Sequence, residues 1–494
     1  MAALRLVCLF VVLVIGLVHS LDIPKIKDVP LLVKTLKNLN RGPPHQVMTK
    51  RANVQEKWIT QKLDNFDASN TQTYKMRYLL NDEFQTEGSP IFIYLGGEWE
   101  IEESMVSAGH WYDMAQEHKG VLVYTEHRYY GQSVPTSTMS TDDLKYLDVK
   151  QALADVAVFI ETFKAENPQL ANSKVILAGG SYSATMVVWF KRLYPDLIVG
   201  GWASSAPLLA KVDFTEYKEV VGQAFLQLGG QKCYDRIENG IAELESMFAN
   251  KRGAEARAML RLCNSFDDQN DLDLWTLFSS ISNIFAGVAQ YQGTGDIEYY
   301  CDYLLSFNDD ATAIANFVYW AWGMGNCIDA RYEGSVEYYL WGVDHFDASR
   351  PWYYQTCNEY GWYQSSGSRN QPFGTKFPAT LYINLCGDVF SSQYGNEQIN
   401  NNAASTNEYF GGMEPGVDNI YMTHGALDPW NPMGHGVEQG ATLIANASRR
   451  CSALNEPFAV DIPHRGEGSI KSTDSVEMRA SKEKLAELVR QWLA

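Results

Sequence analysis

A serine with small neighbours follows a short apolar run in the first half of the chain. Ser181 comes directly after the run VILAGG, which begins at Val175, and an apolar segment of helical type follows it. A strand, a sharp turn and a helix in this order form a nucleophile elbow, which lifts a serine oxygen above the edge of a sheet. The usual pattern is G-x-S-x-G, in which Gly179 fills the first glycine position here and Ser183 stands in the second. The pattern predicts Ser181 as a nucleophile, the alternative being a plain glycine turn between a strand and a helix.

A serine hydroxyl is a weak nucleophile until a base removes its proton. In hydrolases of this layout an acid, and after it a histidine, follow the serine in chain order. Asp428 lies four residues after a predicted strand that ends at His424, and His464 lies just after the last predicted strand. We therefore expect His464 to accept the proton of Ser181 and Asp428 to orient His464. The alternatives are a turn aspartate before a proline and a loop histidine without a role.

Two backbone N–H groups are expected to stabilise the negative charge that develops on a substrate oxygen. One belongs to Tyr182, the residue after the nucleophile. The second is expected from Gly97, in the glycine turn after the apolar run PIFIYL. Both positions follow predicted strands, and parallel sheets bind their ligands beyond the carboxyl ends of their strands.

Strand-like and helix-like segments alternate along the chain from about Trp58. The strand predictions are residues 90–95, 121–125, 175–178, 197–203, 379–385, 419–424 and 457–462, and residues 150–164 have helical spacing. This alternation predicts an α/β fold, with the parallel sheet of an α/β-hydrolase core and helices on its faces. Residues 209–345 are predicted to form an inserted helical cap between two parts of that core, residues 57–208 and 346–494. The apolar stripe of the last helix, within residues 485–493, predicts core packing.

The composition and the N-terminus indicate a soluble protein of an oxidising compartment. The chain has 494 residues, a formal charge of −19 and a pI near 4.9, which disfavours nucleic acid as a partner. Residues 1–20 are predicted to be a signal peptide that is cleaved before Leu21, and no later stretch predicts a membrane span. Residues 21–56, with the dibasic pair Lys50-Arg51, are either an N-terminal arm or a propeptide.

All the cysteines except Cys8 follow Ser181, and they lie far apart. Of eight cysteines, Cys8 falls in the predicted signal peptide, which leaves seven. Their wide spacing, without any C-x-x-C pair, predicts disulfides and no zinc site. Because seven is odd, at least one thiol is free or pairs outside the chain. A glycosylation sequon at Asn446 agrees with a secreted or lysosomal location.

Eight motifs spread over most of the chain carry a family resemblance. They are QKLDNF from Gln61, YLGGE from Tyr94, EHRYYGQS from Glu126, LKYLDVKQALAD from Leu144, GGSY from Gly179, ASSAP from Ala203, YQTCNEYGWYQ from Tyr354 and LDPW from Leu427. With them the chain, from about Gln61 to its C-terminus, resembles the family of prolylcarboxypeptidase, dipeptidyl peptidase II and thymus-specific serine protease. The GGE of residues 96–98 is typical of the thymus-specific branch, where the other two branches have GNE.

Carried over position by position, the resemblance implies that Ser181 is the nucleophile and Asp428 the acid of a triad. The chain departs from the family pattern at two places. Where the thymus-specific branch has a glycine this chain has Ala184, and the added methyl is expected to crowd a tight turn. The family histidine aligns near Glu467, without its neighbouring cysteine, and a glutamate is a weak base toward serine. Two alternatives stay open: His464 has taken over from a shifted loop, or the site has lost its base.

The resemblance implies a lysosomal or secreted serine exopeptidase that removes one or two residues from short peptides, with cleavage next to proline among the candidates. Glu98 is then expected to meet a substrate amino group or to form a buried structural ion pair. The alternative is a catalytically impaired relative that binds peptides or partners through the same cleft, whereas the motifs disfavour an esterase. Peptide substrates are the expected partners, with no cofactor and no metal. The oligomeric state is left open, a homodimer being one alternative.

Overall fold

The computed structural model describes residues 29–40, 53–293, 295–323, 327–435, 442–444, 468–472 and 474–494. Several features predicted from the sequence lie outside these residues. They are the signal peptide, the dibasic pair at 50–51, the sequon at Asn446, Cys451, the strand at 457–462, His464 and Glu467. These features stay predictions.

Strands of the described residues form one large mixed sheet. They are β1 (Gln55–Lys62), β2 (Thr73–Asn81), β3 (Ile91–Leu95), β4 (Val121–Thr125), β5 (Val175–Gly180), β6 (Gly200–Ser204), β9 (Ile420–Gly425) and β10 (Thr442–Ile444), and β7 (Lys211–Asp213) and β8 (Gly361–Tyr363) form a small second sheet. The order in the large sheet is β1-β2-β4-β3-β5-β6-β9-β10. β2 is antiparallel to both of its neighbours, and all pairings from β4 to β10 are parallel. The carboxyl ends of every strand of this sheet except β2 therefore lie at one edge.

Helices cover both faces of this sheet, as the alternation of the sequence predicts for an α/β-hydrolase core. α2 (His110–Glu117) and α15 (Val476–Leu493) pack on one face, and α3 (Val149–Glu166) and α4 (Tyr182–Leu193) pack on the other. Every residue of the central strands β3, β4, β5 and β6 is buried. Strands covered on both faces favour apolar residues at successive positions, which is why β3 and the first four residues of both β4 and β5 appear in the sequence as apolar runs.

A long helical region joins β6 to β9. Its helices are α5 (Glu216–Gly229), α6 (Gln231–Ala249), α7 (Gly253–Met259), α8 (Asp271–Tyr291), α9 (Asp296–Leu305), α10 (Asp310–Trp322), α11 (Tyr332–His345), α12 (Ser349–Gln355), α13 (Ala379–Val389) and α14 (Asn396–Phe410). Within the described part of the chain, α8 is the one helix long and apolar enough to cross a membrane. Two thirds of its apolar stretch is buried inside the protein, as in the core helix of a globular protein.

The strand predicted at residues 379–385 is wrong, because these residues begin helix α13. Its buried side chains include Leu381, Leu385 and Val389, which recur every four residues on one face. A short apolar run fits a buried strand and a buried helix equally well, and only a longer window separates the two. The disulfide between Cys357 and Cys386 attaches α13 to the chain that follows α12.

The N-terminal segment contains a helix that packs into the protein. This helix, α1 (Leu31–Leu39), lies against α8, and Leu32 is completely buried. The carbonyl of Leu39 accepts hydrogen bonds from Gln290 Nε2 at 2.7 Å and from the Tyr291 hydroxyl at 2.6 Å. Residues 31–39 are therefore part of the folded core.

Candidate active site

Ser181 lies at the sharp turn between β5 and α4. Its backbone has φ 60° and ψ −131°, in the positive-φ region that non-glycine residues rarely adopt. A strained backbone of this kind persists only where the surrounding structure holds it, and it is common at catalytic sites. A Cβ atom on Gly179 would lie 2.4 Å from the carbonyl oxygen of Ser183, so the position before the turn requires glycine. The turn has the form of a nucleophile elbow.

Ser183, which replaces the second glycine of the usual pattern, takes part in the turn. Its hydroxyl accepts the N–H of Gly180 at 2.9 Å and donates to the carbonyl of the same residue at 3.0 Å. Ala184, the other departure, is accommodated inside α4, where its N–H donates to the Ser181 carbonyl at 2.9 Å. Crowding by its methyl group therefore does not prevent the helix from starting at Tyr182.

Asp428 lies beyond the carboxyl end of β9, at the same edge of the sheet as Ser181. Only β6 separates β9 from the nucleophile strand β5. Asp428 is completely buried, and its Oδ1 accepts the N–H of Trp430 at 3.0 Å. Its own N–H donates to the Gly425 carbonyl at 3.1 Å, which closes the turn after the strand. The third predicted triad residue, His464, lies outside the described residues.

A cavity of about 320 Å³ opens at this edge, between the sheet and the helical region. Four tryptophans line it: Trp99, Trp352, Trp362 and Trp430. Glu98 and Gln364 contribute polar groups, and α1 contributes Leu36 and Lys37. An apolar cavity with few polar groups is typical of a ligand site.

The glycine turn after β3 lies beside the cavity. A Cβ on Gly97 would come within 2.6 Å of the Trp99 ring, so glycine lets this ring fold back over the backbone. The Trp99 indole N–H donates to the hydroxyl of Tyr124 at 2.7 Å, which fixes the ring. Glu98 is largely buried at the cavity wall. The turn thus brings the candidate oxyanion donor, the N–H of Gly97, and the carboxylate of Glu98 to the edge at which the elbow lies.

The sequence profile of the serine carboxypeptidase S28 family matches residues 61–482. The chain belongs to this family. It is 28% identical to the thymus-specific serine protease of Mus musculus over 88% of this chain and 87% of that protein. It is also 28% identical to the lysosomal Pro-X carboxypeptidase of Bos taurus, over 79% of this chain and 80% of that protein. Among solved structures, an acylaminoacyl peptidase of Pyrococcus horikoshii matches at 14% identity over 34% of this chain and 25% of that chain, with a TM-score of 0.25.

Membership of the S28 family makes the protein a serine peptidase, as the motifs predict. The matched range includes Ser181 and Asp428, as well as residues 464 and 467. It begins after α1, so this helix contributes to the cavity wall from outside the matched range.

The EHRYYGQS motif of this S28 chain forms two buried ion pairs beneath the site. Glu126 accepts a hydrogen bond from Arg77 Nη2 at 2.7 Å. Arg128 binds both carboxylate oxygens of Asp155, each at 2.7 Å. Both arginines and both carboxylates are buried, so each pair satisfies charges that water does not reach. These residues hold β2, β4 and α3 together behind the elbow.

Disulfides join six of the seven cysteines that follow Ser181, and all six lie within the described residues. The pairs are Cys233–Cys301, Cys263–Cys327 and Cys357–Cys386. The prediction of disulfides is confirmed, and the seventh cysteine, Cys451, lies outside the described residues.

Three contributors to the site were not predicted from the sequence: the Ser183 hydroxyl, the tryptophan lining and helix α1. The motif YQTCNEYGWYQ was a signal for the tryptophan lining, because it contains Trp362 and begins two residues after Trp352. The sequence offers no such signal for α1, whose role depends on distant packing.

Proposed function

We propose that the protein is a serine exopeptidase in which Ser181 attacks the carbonyl carbon of a peptide bond. His464 accepts the proton of the hydroxyl, and Asp428 orients His464 and stabilises its charged form. The observation that carries this proposal is the strained backbone of Ser181, at the edge where a completely buried Asp428 also lies. A nucleophile elbow with a late aspartate is the arrangement used by Ser-His-Asp hydrolases.

The reaction then follows the acyl-transfer route. The Ser181 oxygen forms a bond to the carbonyl carbon, and the oxyanion is held by the N–H groups of Tyr182 and Gly97. His464 returns its proton to the leaving amine, and the C–N bond breaks. Water activated by the same histidine hydrolyses the acyl-enzyme and releases the second product.

Glu98 favours release of dipeptides from the N-terminus over carboxypeptidase action. Its carboxylate lies at the wall of a small cavity, where it would attract a substrate ammonium group and repel a substrate carboxylate. The tryptophan lining suits apolar side chains, and proline at the cleavage point is included among the substrates. In this arrangement Glu98 fixes the free end, and the scissile bond lies at Ser181.

Labelling with a fluorophosphonate probe tests the nucleophile and its base. We expect the full chain to react at Ser181 at acidic or neutral pH, Ser181→Ala to lose labelling, and His464→Ala and Asp428→Asn to react far more slowly. Glu467→Gln is the matched control, because it changes the residue that aligns with the family histidine and should leave labelling intact. A wild-type chain that stays unlabelled at both pH values would favour the peptide-binding alternative.

Mass spectrometry of digested tripeptides tests the direction of cleavage. The peptides have either proline or alanine at the second position. Each is tested with a free or acetylated N-terminus and with a free or amidated C-terminus. We expect dipeptides to be released, acetylation to stop cleavage and amidation to have little effect. Glu98→Gln should raise KM for peptides with a free amino group. If amidation of the C-terminus stopped cleavage and acetylation of the N-terminus did not, the enzyme would be a carboxypeptidase.

We propose that the protein is secreted or lysosomal, and the three disulfides support this proposal because disulfides persist in oxidising compartments. Fractionation of cells that express the full chain, with an antibody against the folded protein, tests this. Recovery from the cytosol with reduced cysteines would contradict it.

A further inference from the structure

The side chain of Tyr182 lies in a buried network behind the elbow that the proposed reaction does not use. Its hydroxyl oxygen is 2.9 Å from Gln355 Nε2, 3.1 Å from His127 Nε2 and 3.3 Å from the Tyr360 hydroxyl. All four residues are at least 95% buried. Two motifs of the sequence, EHRYYGQS and YQTCNEYGWYQ, thus converge on the residue that follows the nucleophile.

The direction of each hydrogen bond follows from the chemistry of the partners. His127 Nδ1 lies 2.7 Å from the Arg128 carbonyl, which can only accept, so Nδ1 carries the proton. Burial lowers the pKa of His127 to about 4, so the ring is neutral and Nε2 accepts the Tyr182 proton. Gln355 and Tyr360 then donate to the two lone pairs of the Tyr182 oxygen. Every hydrogen-bonding position of this hydroxyl is filled.

Gln355 is itself held in place from several sides. Its Oε1 accepts the Tyr130 hydroxyl at 2.6 Å, and its Nε2 also approaches Glu359 Oε2 at 3.3 Å. Gln355 ends α12 and is followed by one turn of π-helix, Thr356–Tyr360, a feature that is frequent at functional sites. One turn earlier on α12, Trp352 lines the cavity and packs on the Tyr182 ring, with centroids 5.5 Å apart.

We propose that Gln355 is a positioning residue for the oxyanion hole. By holding the Tyr182 hydroxyl, it fixes the first turn of α4, and so the N–H of Tyr182, relative to the cavity wall. The inference rests on the proposed serine peptidase function and adds a role for the segment after α12. Positioning by Gln355 affects the reaction rate because a displacement of about 1 Å in a reacting group can lower the rate by about 100-fold.

The alternative is an ordinary buried network that attaches the helical region to the core. Such a network would contribute to stability alone. A positioning role instead predicts a change in rate per folded, reactive enzyme molecule. The two are separated by measuring kcat and acylation per labelled Ser181 in variants whose unfolding temperature is also measured.

Two variants remove the contact from opposite sides. Gln355→Met removes the amide, and Tyr182→Phe removes the hydroxyl and keeps the ring packed on Trp352. We expect kcat and the rate of fluorophosphonate labelling to fall by about 10- to 100-fold in both, with KM little changed. Tyr332→Phe is the matched control, because it deletes a hydroxyl that donates to Asp388 at 2.7 Å and does not line the cavity. It should change the unfolding temperature and leave kcat unaffected.

Gln355→Glu provides a readout in the pH profile. A protonated carboxyl donates to the Tyr182 oxygen as the amide does, and an ionised carboxyl cannot. The titratable groups in contact with residue 355 are Tyr130, Tyr182, Glu359 and Tyr360. His127 contacts the Tyr182 hydroxyl. Neutral His127 and the tyrosines bring no positive charge, so we expect near-wild-type kcat at acidic pH and a loss as the pH rises. Wild type should lack this decline.

The outcomes separate the two levels of the proposal. A wild-type chain that never reacts with the probe overturns the serine peptidase function and the positioning role together. A reactive wild type, with unchanged kcat per labelled serine in Gln355→Met and Tyr182→Phe, overturns the positioning role alone. Parallel loss in Tyr332→Phe would also overturn it, since any lost buried hydroxyl would then have the same effect.

Discussion

The hydroxyl of Ser183 closes the turn beneath the nucleophile by bonding twice to Gly180, as acceptor of its N–H at 2.9 Å and as donor to its carbonyl at 3.0 Å. Ser183→Ala leaves both buried backbone groups without these bonds. We expect a loss of about 1–3 kcal/mol in the free energy of unfolding, together with slower labelling of Ser181. Chemical denaturation and the labelling rate measure the two effects.

Ser282→Ala is the matched control for this change. Ser282 is also completely buried, but its hydroxyl donates to the Ser279 carbonyl within α8, away from the elbow. It should lower stability and leave the labelling rate per folded molecule unchanged. Equal labelling by Ser183→Ala and the wild type would show that the elbow does not need the serine.

The buried pair of Arg128 and Asp155 predicts a large stability effect. Asp155→Asn leaves a buried guanidinium without its counter-charge, so we expect a loss of about 3–5 kcal/mol in the free energy of unfolding. Glu117→Gln is the control, because it breaks a similar two-bond pair with Arg490 that is exposed to solvent. That change should cost less than about 1 kcal/mol. Similar losses in both variants by urea denaturation would contradict the prediction.

The raised pKa of the buried Glu359 carboxyl predicts that the stability of the protein depends on pH. Burial, followed by the nearby charge of Asp148, raises its pKa to about 8 from the ordinary value of 4.5. A carboxyl whose pKa is raised on folding stabilises the protein below its unfolded pKa, and this contribution is lost as the pH rises through the folded value. We expect Glu359→Gln, which can still accept the N–H of Val149, to be the more stable form at neutral and alkaline pH by a few kcal/mol. At acidic pH the two forms should converge.

Buried histidines change the stability in the opposite direction at lower pH. The effect of Glu359 is therefore measured as the difference in unfolding free energy between the wild type and Glu359→Gln. Burial lowers the pKa values of His110 and His127 to about 4, and their contribution is lost as the pH falls from 6.5 toward 4. Both forms contain these histidines, so the difference in unfolding free energy isolates Glu359. A difference that stays constant between pH 4.5 and pH 8 would refute the assignment.

Helix α1 predicts that the N-terminal segment affects substrate binding. Leu32→Ala removes a completely buried side chain and should cost about 2–5 kcal/mol in stability. Because Leu36 and Lys37 of the same helix line the cavity, we also expect KM to rise. Leu244→Ala, an equally buried change in α6 that is remote from the cavity lining, should lower stability alone. If KM were unchanged in both variants, α1 would not contribute to substrate binding.

Much of the core was predictable, because the physical signals there are local. The runs at residues 91–95 and 121–125 are buried at every position and, apart from Thr125, consist of apolar and aromatic residues, as expected of strands covered on both faces. The helix at residues 149–166 has regular apolar spacing. Residues 379–385 misled the prediction because a seven-residue apolar run has no period long enough to separate strand from helix.

The hydrolase core, the serine at its turn and the aspartate after a late strand were predictable from the amino-acid sequence, since each depends on short-range order along the chain. The side chains that surround these residues were not predictable, because they come from distant parts of the chain. Tyr182 and Gln355 are 173 residues apart, and Leu39 and Gln290 are 251 apart, yet each pair is joined by one hydrogen bond. Contacts of this kind arise when separate elements pack, because no local periodicity encodes which distant residues will meet.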